Sequence, residues 1–243
     1  MVRWLRACAG RPETRWETTV DFWSRVTGTL PEWRSPGDVW LEPVSGDGML
    51  ALTNRAAAAA TRVDLVVDDA EAVVRRAFEL GATASNDDGE HVTGRSPGGL
   101  TFHIAAAPDS ELAEPPVLEH PNGSLSGLDQ ICVDIGPSDW DTELAFWSDL
   151  TGHKARTGAR PEYAWIKGPN GRTSRLLLQR LDEDRPTSAH LDFACSDVAA
   201  VCEAHVAAGA RSGDVFPWWT VMYDPSGAVY CLTARDPVTG ALP

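Results

Sequence analysis

The sequence predicts an α+β protein made of four strand–helix–three-strand modules, grouped into two similar domains. Three observations carry that expectation. First, RVDLVVDDAEAVVRRAFELGATAS, from Arg62, recurs as HLDFACSDVAAVCEAHVAAGARSG, from His190, at a constant offset of 128 residues. Second, RPETRWETTVDFWSRVTG recurs as GPSDWDTELAFWSDLTG at an offset of 124, pairing Trp16 with Trp140, Trp23 with Trp147 and Gly28 with Gly152. Third, each downstream helix leads to a hairpin pattern, HVTGRSPGGLTFHI and WTVMYDPSGAVYCLT. Self-similarity at fixed spacing marks duplicated supersecondary units.

The modules read in order. The strand WLRACAG opens the first, and LDQICVDI opens the third, with Ile131, Val133 and Ile135 alternating against Gln130, Cys132 and Asp134. Period-two alternation is the strand signature. The helices that follow place Trp, an aliphatic residue and Trp at i, i+4 and i+7, one amphipathic face. Thr14 with Glu17 and Ser138 with Asp141 stand at capping-box spacing, and each helix ends at Thr-Gly, where glycine accepts a left-handed turn. Hairpins around glycine follow in DVWLEPVSGDGMLALT and EYAWIKGPNGRTSRLLLQR. In modules two and four an apolar strand meets an acidic cap, an alanine-rich helix and then Gly81 or Gly209. Turns at Pro97-Gly98-Gly99 and Pro225-Ser226-Gly227 close these modules. The expected domains are 1–107 and 126–243, joined by a Pro- and acid-rich linker over 108–125.

Composition narrows the functional class. A chain of 243 residues with 43% hydrophobic and 23% charged residues is ordinary globular protein. No apolar run is long enough to span a membrane, and MVRWLRACAG lacks a secretory core, so a cytoplasmic location is expected. A net charge of −14 repels phosphate backbones and anionic lipid, which argues against nucleic acid and membrane partners. Five scattered cysteines without a C-x-x-C read as reduced thiols. The expected partner is a small-molecule ligand, and the chain is a monomer or homodimer.

The pairs DFWSRVTG/AFWSDLTG, VDLVVDDAEAV/LDFACSDVAAV and SPGGLTFHI/DPSGAVYCLT, in this order, resemble the vicinal oxygen chelate superfamily, the glyoxalase/bleomycin-resistance/dioxygenase fold. The nearest flavour is the actinobacterial glyoxalase-like domain. The resemblance covers both halves and implies βαβββ modules paired into two open, barrel-like domains. Alternation then selects the residues lining each cup. The second cup is expected to hold Gln130, Cys132, His190, Asp192, Val229 and Cys231, and the first Arg6, Cys8, Arg62, Asp64, Thr101 and His103.

Metal-dependent relatives bind a divalent ion from such strand positions. Carried over by resemblance, the first-strand ligand positions fall on Gln130 and His190, and the closing glutamate position falls on Val229. In the first half they fall on Arg6, Arg62 and Thr101, a set that repels a cation. Asp192 shares the face of His190 but stands about 7 Å further along the strand, and a His190/Cys132/Cys231 zinc set is not demanded by the spacing. The expectation is therefore no cofactor, with a divalent ion on Gln130 and His190 as the alternative.

The preferred function is metal-free binding of a small aromatic or apolar molecule, as in antibiotic-sequestering relatives. Trp40, Trp165 and Trp219 would supply flat walls, with Arg62, Gln130, Cys132 and Cys231 as further contacts. Of Trp218 and Trp219, one ring is expected in the core and the other at the cup mouth. The alternative is a lyase, isomerase or dioxygenase in which His190 is general base, oriented by Asp192. Arg62 beside Asp64 reads either as an anion contact or as a self-neutralising pair. His91 and His103 read as structural or surface residues, and Gly98-Gly99 as a hairpin turn without phosphate-loop context.

Overall fold

The computed structural model describes residues 1–55, 60–87, 92–158, 160–168 and 174–242, with the side chains of 85–87 outside the description. His91 and the hairpin tip at 169–173 lie outside the described residues. The first module comprises β1 (Val2–Gly10), α1 (Trp16–Thr27), β2 (Thr29–Ser35), β3 (Asp38–Pro43) and β4 (Leu50–Thr53). The second comprises β5 (Ala60–Val67), α2 (Ala70–Glu79), β6 (Thr83–Asp87), β7 (Val92–Arg95) and β8 (Thr101–Ala106). After a short β9 (Leu118–Glu119), the third comprises β10 (Leu125–Ile135), α3 (Trp140–Thr151), β11 (Arg156–Thr157), β12 (Tyr163–Lys167) and β13 (Arg175–Arg180). The fourth comprises β14 (Ser188–Cys195), α4 (Val198–Ala207), β15 (Arg211–Val215), β16 (Trp219–Tyr223) and β17 (Val229–Thr233).

Modules one and two share an eight-stranded sheet ordered β2-β3-β4-β1-β5-β8-β7-β6. Modules three and four share a nine-stranded one, β11-β12-β13-β10-β14-β17-β16-β15, with β9 paired to β10. These are the two α+β domains of the expected class, neither closed into a barrel. Part of the segment read as linker is structured, because Leu118 and Glu119 pair antiparallel with Ser126 and Leu125. Strand β2, which contains Pro31, sits at a sheet edge, where a residue without an N–H leaves no ladder bond unmade.

Local signals explain most helix ends. Asp69 accepts from Ala72 N at 2.9 Å and Asp197 from Ala200 N at 3.0 Å, capping α2 and α4. Gly28 and Gly152 end α1 and α3 with φ of 66° and 72°, a conformation that side chains with a Cβ rarely adopt. The capping boxes are a correction. A 3-10 turn over Glu13–Arg15 precedes α1, and neither Arg15 nor Asp139 makes a side-chain cap bond. Ser138 instead bonds the Asp184 carboxylate, giving its hydroxyl at 2.7 Å and its N–H at 2.9 Å. A partner 46 residues away outcompetes the local one.

The chain forms two compact units: Met1–Ala7 with Thr61–Leu112 and Ile131–Ala189, and Cys8–Ala60 with Ala113–Gln130 and His190–Pro243. The first contains α2 and α3, where Phe102 meets Phe146 and Trp147 with ring centroids 5.7 and 5.9 Å apart. The second contains α1 and α4, where Trp23 packs on Phe193 at 6.2 Å and on Tyr230 at 5.3 Å. All these rings are buried, and buried aromatic clusters contribute both apolar area and ring–ring geometry.

Candidate functional site

Strand pairing determines which side chains share the face turned away from the helices. Parallel pairing of β14 with β17 sets Asp192 beside Cys231, and antiparallel pairing sets Cys231 beside Val221. Tyr223 pairs with Val229, and continuing the parallel register by one residue sets Val229 beside His190. Directly paired residues project to the same side of a sheet. Two rows result: His190–Val229–Tyr223 and Asp192–Cys231–Val221. The alternate residues Leu191, Phe193, Met222, Tyr230 and Leu232 are buried on the helix side.

Asp192 is the centre of this face. Its side chain is 4% exposed, and Gln130 Nε2 donates to its Oδ2 at 3.0 Å. Its Oδ1 lies 3.3 Å from His190 Nε2, out of hydrogen-bond alignment, and has no hydrogen-bond partner among the described residues. The side chains thus meet although their residues stand two strand rises, about 7 Å, apart, because side chains two apart on one face can lean toward each other. The ligand atoms of Cys132, His190 and Asp192 all lie within 4.8 Å of one another. Cys132 stands two residues beyond Gln130 on β10, is buried, and points its thiol at Gln179 Oε1, 3.6 Å away.

Donor atoms about 2.1 Å from a tetrahedral ion stand about 3.4 Å apart, so the His190–Asp192 spacing suits a pair of neighbouring ligands. A thiol, an imidazole and a carboxylate form a set that divalent transition metals accept. Charge agrees: a buried carboxylate without a matching cation is costly, and a thiolate with a carboxylate balances a dication. The residues therefore fit a metal ion. This removes the main ground for expecting a metal-free cup, which was the lack of an acidic donor near His190.

The remaining expected site residues fall as follows. Cys231 is buried in the second row, whereas Val229 is 43% exposed and offers no donor. Trp219 is half-buried and stacks on Phe216 at 4.6 Å, and Trp218 is 51% exposed. The expectation that one of these rings enters the core is corrected; buried Thr220 and Met222 take the helix side of β16 instead. Trp40 on β3 lies under the Arg34 guanidinium at 4.4 Å. Trp165 on β12 has Arg156 and Arg175 each 5.3 Å from its ring centre. Both tryptophans are half-buried beneath cations.

Arg62 lies in the first half, where its Nε donates to Asp64 Oδ1 at 2.7 Å. His103 Nδ1 is 4.0 Å from Asp64 Oδ2. Sequence reasoning missed Val221, Tyr223 and Arg211, whose guanidinium lies 3.8 Å from the Tyr223 ring centre. The period of β16, with Thr220 and Met222 facing the helices, was the signal that could have found the first two. Behind the face, burial and the nearby Asp129 and Asp192 carboxylates push the Cys195 thiol far up, so it stays protonated. None of the five cysteines forms a disulfide.

Paired βαβββ modules with a polar donor set on the strands define the vicinal oxygen chelate superfamily. The glyoxalase-like domain matches residues 13–105 and 130–233, and the chain belongs to that family in two copies. Among solved structures it resembles the Mn(II)-bound glyoxalase from Novosphingobium aromaticivorans, at TM-score 0.68 and 15% identity, covering 96% of this chain and 82% of that one. It also resembles 2,2',3-trihydroxybiphenyl 1,2-dioxygenase from Sphingomonas wittichii, at TM-score 0.66 and 15% identity, covering 96% and 90%. A third likeness is to homoprotocatechuate 2,3-dioxygenase from Brevibacterium fuscum, at 0.67 and 15%, covering 99% and 73%. No curated protein sequence matches the chain. Identities this low establish the shared fold alone. No described helix is long and apolar enough to cross a membrane.

Proposed function

We propose that the second domain binds a small oxygen-bearing molecule with the help of a divalent transition-metal ion held by His190, Asp192 and Cys132. The observation that carries this reading is Asp192 Oδ1, buried, without a hydrogen-bond partner among the described residues, and 3.3 Å from His190 Nε2. When bound, such an ion supplies Lewis acidity toward substrate oxygens. The protein does the rest. Gln130 fixes Asp192 through Oδ2 and leaves Oδ1 aimed at the site. Val221, Tyr223 and Trp219 form an apolar and aromatic wall on β16 that orients the ligand and excludes water.

One imidazole and one thiol depart from the two-histidine, one-carboxylate set of oxygen-activating iron. The donor set therefore favours lyase or isomerase chemistry over dioxygenation. Elemental analysis of protein purified without chelator and then incubated with Zn²⁺, Mn²⁺ or Fe²⁺ tests the proposal. About one equivalent per chain is expected, lost in His190→Ala and Asp192→Asn. Less than about a tenth of an equivalent in the parent protein rejects the metal and returns the site to a metal-free His190–Asp192 pair.

A further inference from the structure

The stretch EHPNGSLSG, from Glu119, carries turn chemistry at Pro-Asn-Gly, and it folds into a hairpin. Leu118 and Glu119 pair with Ser126 and Leu125, and Gly123 takes a φ of 80° in the turn. His120 N–H donates to Ser124 O and Gly123 N–H to His120 O, each at 2.8 Å. The hairpin is docked by a short set of contacts. Asn122 Nδ2 donates to Ala200 O on α4 at 2.9 Å. Leu125 N–H donates to Ser196 Oγ at 2.8 Å, and Ser196 N–H returns a bond to Leu125 O at 3.0 Å. Leu118 covers Gly28 at the end of α1, where an added Cβ would stand 3.0 Å from its Cδ1.

A further anchor is the buried His120 ring. Its Nε2 is 2.8 Å from Ser126 Oγ, and its centre is 5.7 Å from that of His205. His205 lies among Phe22, Phe193 and Tyr230, with Nδ1 3.0 Å from the Tyr230 hydroxyl. Its Nε2 is buried without a hydrogen-bond partner among the described residues.

The surrounding elements offer a proton no counter-charge. On α4, Asp197 is exposed and caps Ala200 N, Glu203 is exposed, and Cys202 points its thiol at Met222. On α1, Glu17, Asp21 and Arg25 are exposed. Burial keeps Cys195 on β14 and Tyr230 on β17 protonated. Asp224 is matched by Arg11 at 2.6 Å and Asp129 on β10 by Arg235 at 2.7 Å, while Glu119 on the hairpin itself is exposed. Burial lowers His120, and burial with the neighbouring imidazole depresses His205 to about 3. Docked, both rings favour the neutral form. A group lowered in the docked state favours undocking as pH falls through its solvated value, about 6.5 for an imidazole.

We propose that the His120 hairpin is an acid-released latch: protonation of His120 lifts residues 118–126 from α4 while β14 and β17 stay paired. Release takes from the segment that joins β8 to β10 its anchorage on the second sheet.

Hydrogen exchange of the full chain at pH 7.5 and 5.5, corrected for the intrinsic pH dependence of amide exchange, tests the latch. Protection over 118–126 should fall about tenfold across that interval if the lifted hairpin takes one proton. It should fall about a hundredfold if His205 is exposed and protonated as well. Protection over 191–195, read in the same samples, should stay well above that of the hairpin at pH 5.5. In His120→Gln, which takes no proton, the tenfold component should vanish. His120→Phe repeats the check with an apolar ring in case the glutamine variant does not fold. Hairpin protection that changes less than about twofold overturns the proposal, as does exchange of hairpin and strand in step at both pH values, and both readings need only the parent protein. A folded variant that keeps the parent's full pH dependence overturns it too.

Discussion

Asp64 and Asp192 occupy the same place in the duplicated sequence, yet the sheet faces around them differ in kind. In the first half the aspartate has Arg62 at 2.7 Å, with threonines and a second arginine in the adjoining pairs. In the second half histidine replaces Arg62, Cys231 replaces His103, and Val221, Val229 and Tyr223 replace Thr93, Thr101 and Arg95. One copy supplies its own cation to a buried carboxylate. The other sets the Gln130 amide and the His190 imidazole against it, with Cys231 in the paired position. A duplicated fold can thus set one aspartate in two different surroundings without moving a strand, because a paired position determines a side chain's face and not its charge.

A second pair of regions, on the helix side, shows the same divergence. Trp23 donates its indole to Asp224 at 3.0 Å, and Arg11 balances that carboxylate at 2.6 Å, both partners essentially buried. Its counterpart Trp147 donates to Glu143 at 2.8 Å, while Gly98 N donates to the other oxygen at 2.8 Å. Ile135 stands where Arg11 would be. Burial pushes Glu143 up, toward its neutral form. The largest expected effect breaks this contrast. Arg11→Met should cost about 3–5 kcal/mol by urea unfolding, since it strands Asp224, and Arg11→Met/Asp224→Asn should recover much of it. Glu143→Gln should cost less, about 1–3 kcal/mol, because its amide NH2 would face one of the two N–H donors and leave that donor unsatisfied, with no charge stranded. Equal costs for Arg11→Met and Glu143→Gln would erase the distinction.

A swap on the sheet faces comes next. His190→Arg gives Asp192 the counter-ion that Asp64 already has. It should lower Zn²⁺ affinity on the order of 100-fold or more, while melting above His190→Ala. Gln130→Ala is milder. It frees Asp192 Oδ2 and should weaken the metal about tenfold, at a stability cost of about 1–3 kcal/mol. Metal titration and thermal melting of the three variants check both statements. A His190→Arg protein that keeps full metal affinity would place the ion elsewhere.

Sequence pattern made the modules legible because their signals are local: Asp69 and Asp197 cap the helices they precede, and Gly28 and Gly152 end theirs. It failed where a distant partner wins. Ser138 bonds Asp184 rather than its own helix, and Arg11 meets Asp224 across 213 residues. The site was half legible. Alternation placed His190 and Asp192 on one face, but strand rise hid how closely their side chains approach, and no pattern announced Arg34 over Trp40.

The smallest effect is a difference in pH response. His205 is fully buried on α4, its Nδ1 3.0 Å from the Tyr230 hydroxyl, and burial depresses it to about 3. Its counterparts in the first half are Ala77 and Phe102, which do not titrate. Below its unfolded value near 6.5 the unfolded chain binds a proton that the folded chain refuses, so stability falls with falling pH throughout the window from 6.5 to 3. The limiting slope is about 1.4 kcal/mol per pH unit, and acidification from pH 6.5 to 5.5 should cost about 1 kcal/mol. His120, also lowered by burial, adds in the same direction. Glu143 opposes, because a carboxyl raised by burial gains stability as pH falls toward 4.5. His205→Ala/Tyr230→Phe copies the first half and leaves Glu143 untouched. Urea midpoints of parent and double variant at pH 6.5 and 5.5 should differ in slope by about 1 kcal/mol per unit, whatever the absolute stability of the variant. Identical slopes would mean that His205 gains its proton without unfolding, and that the two buried cores respond to acid alike.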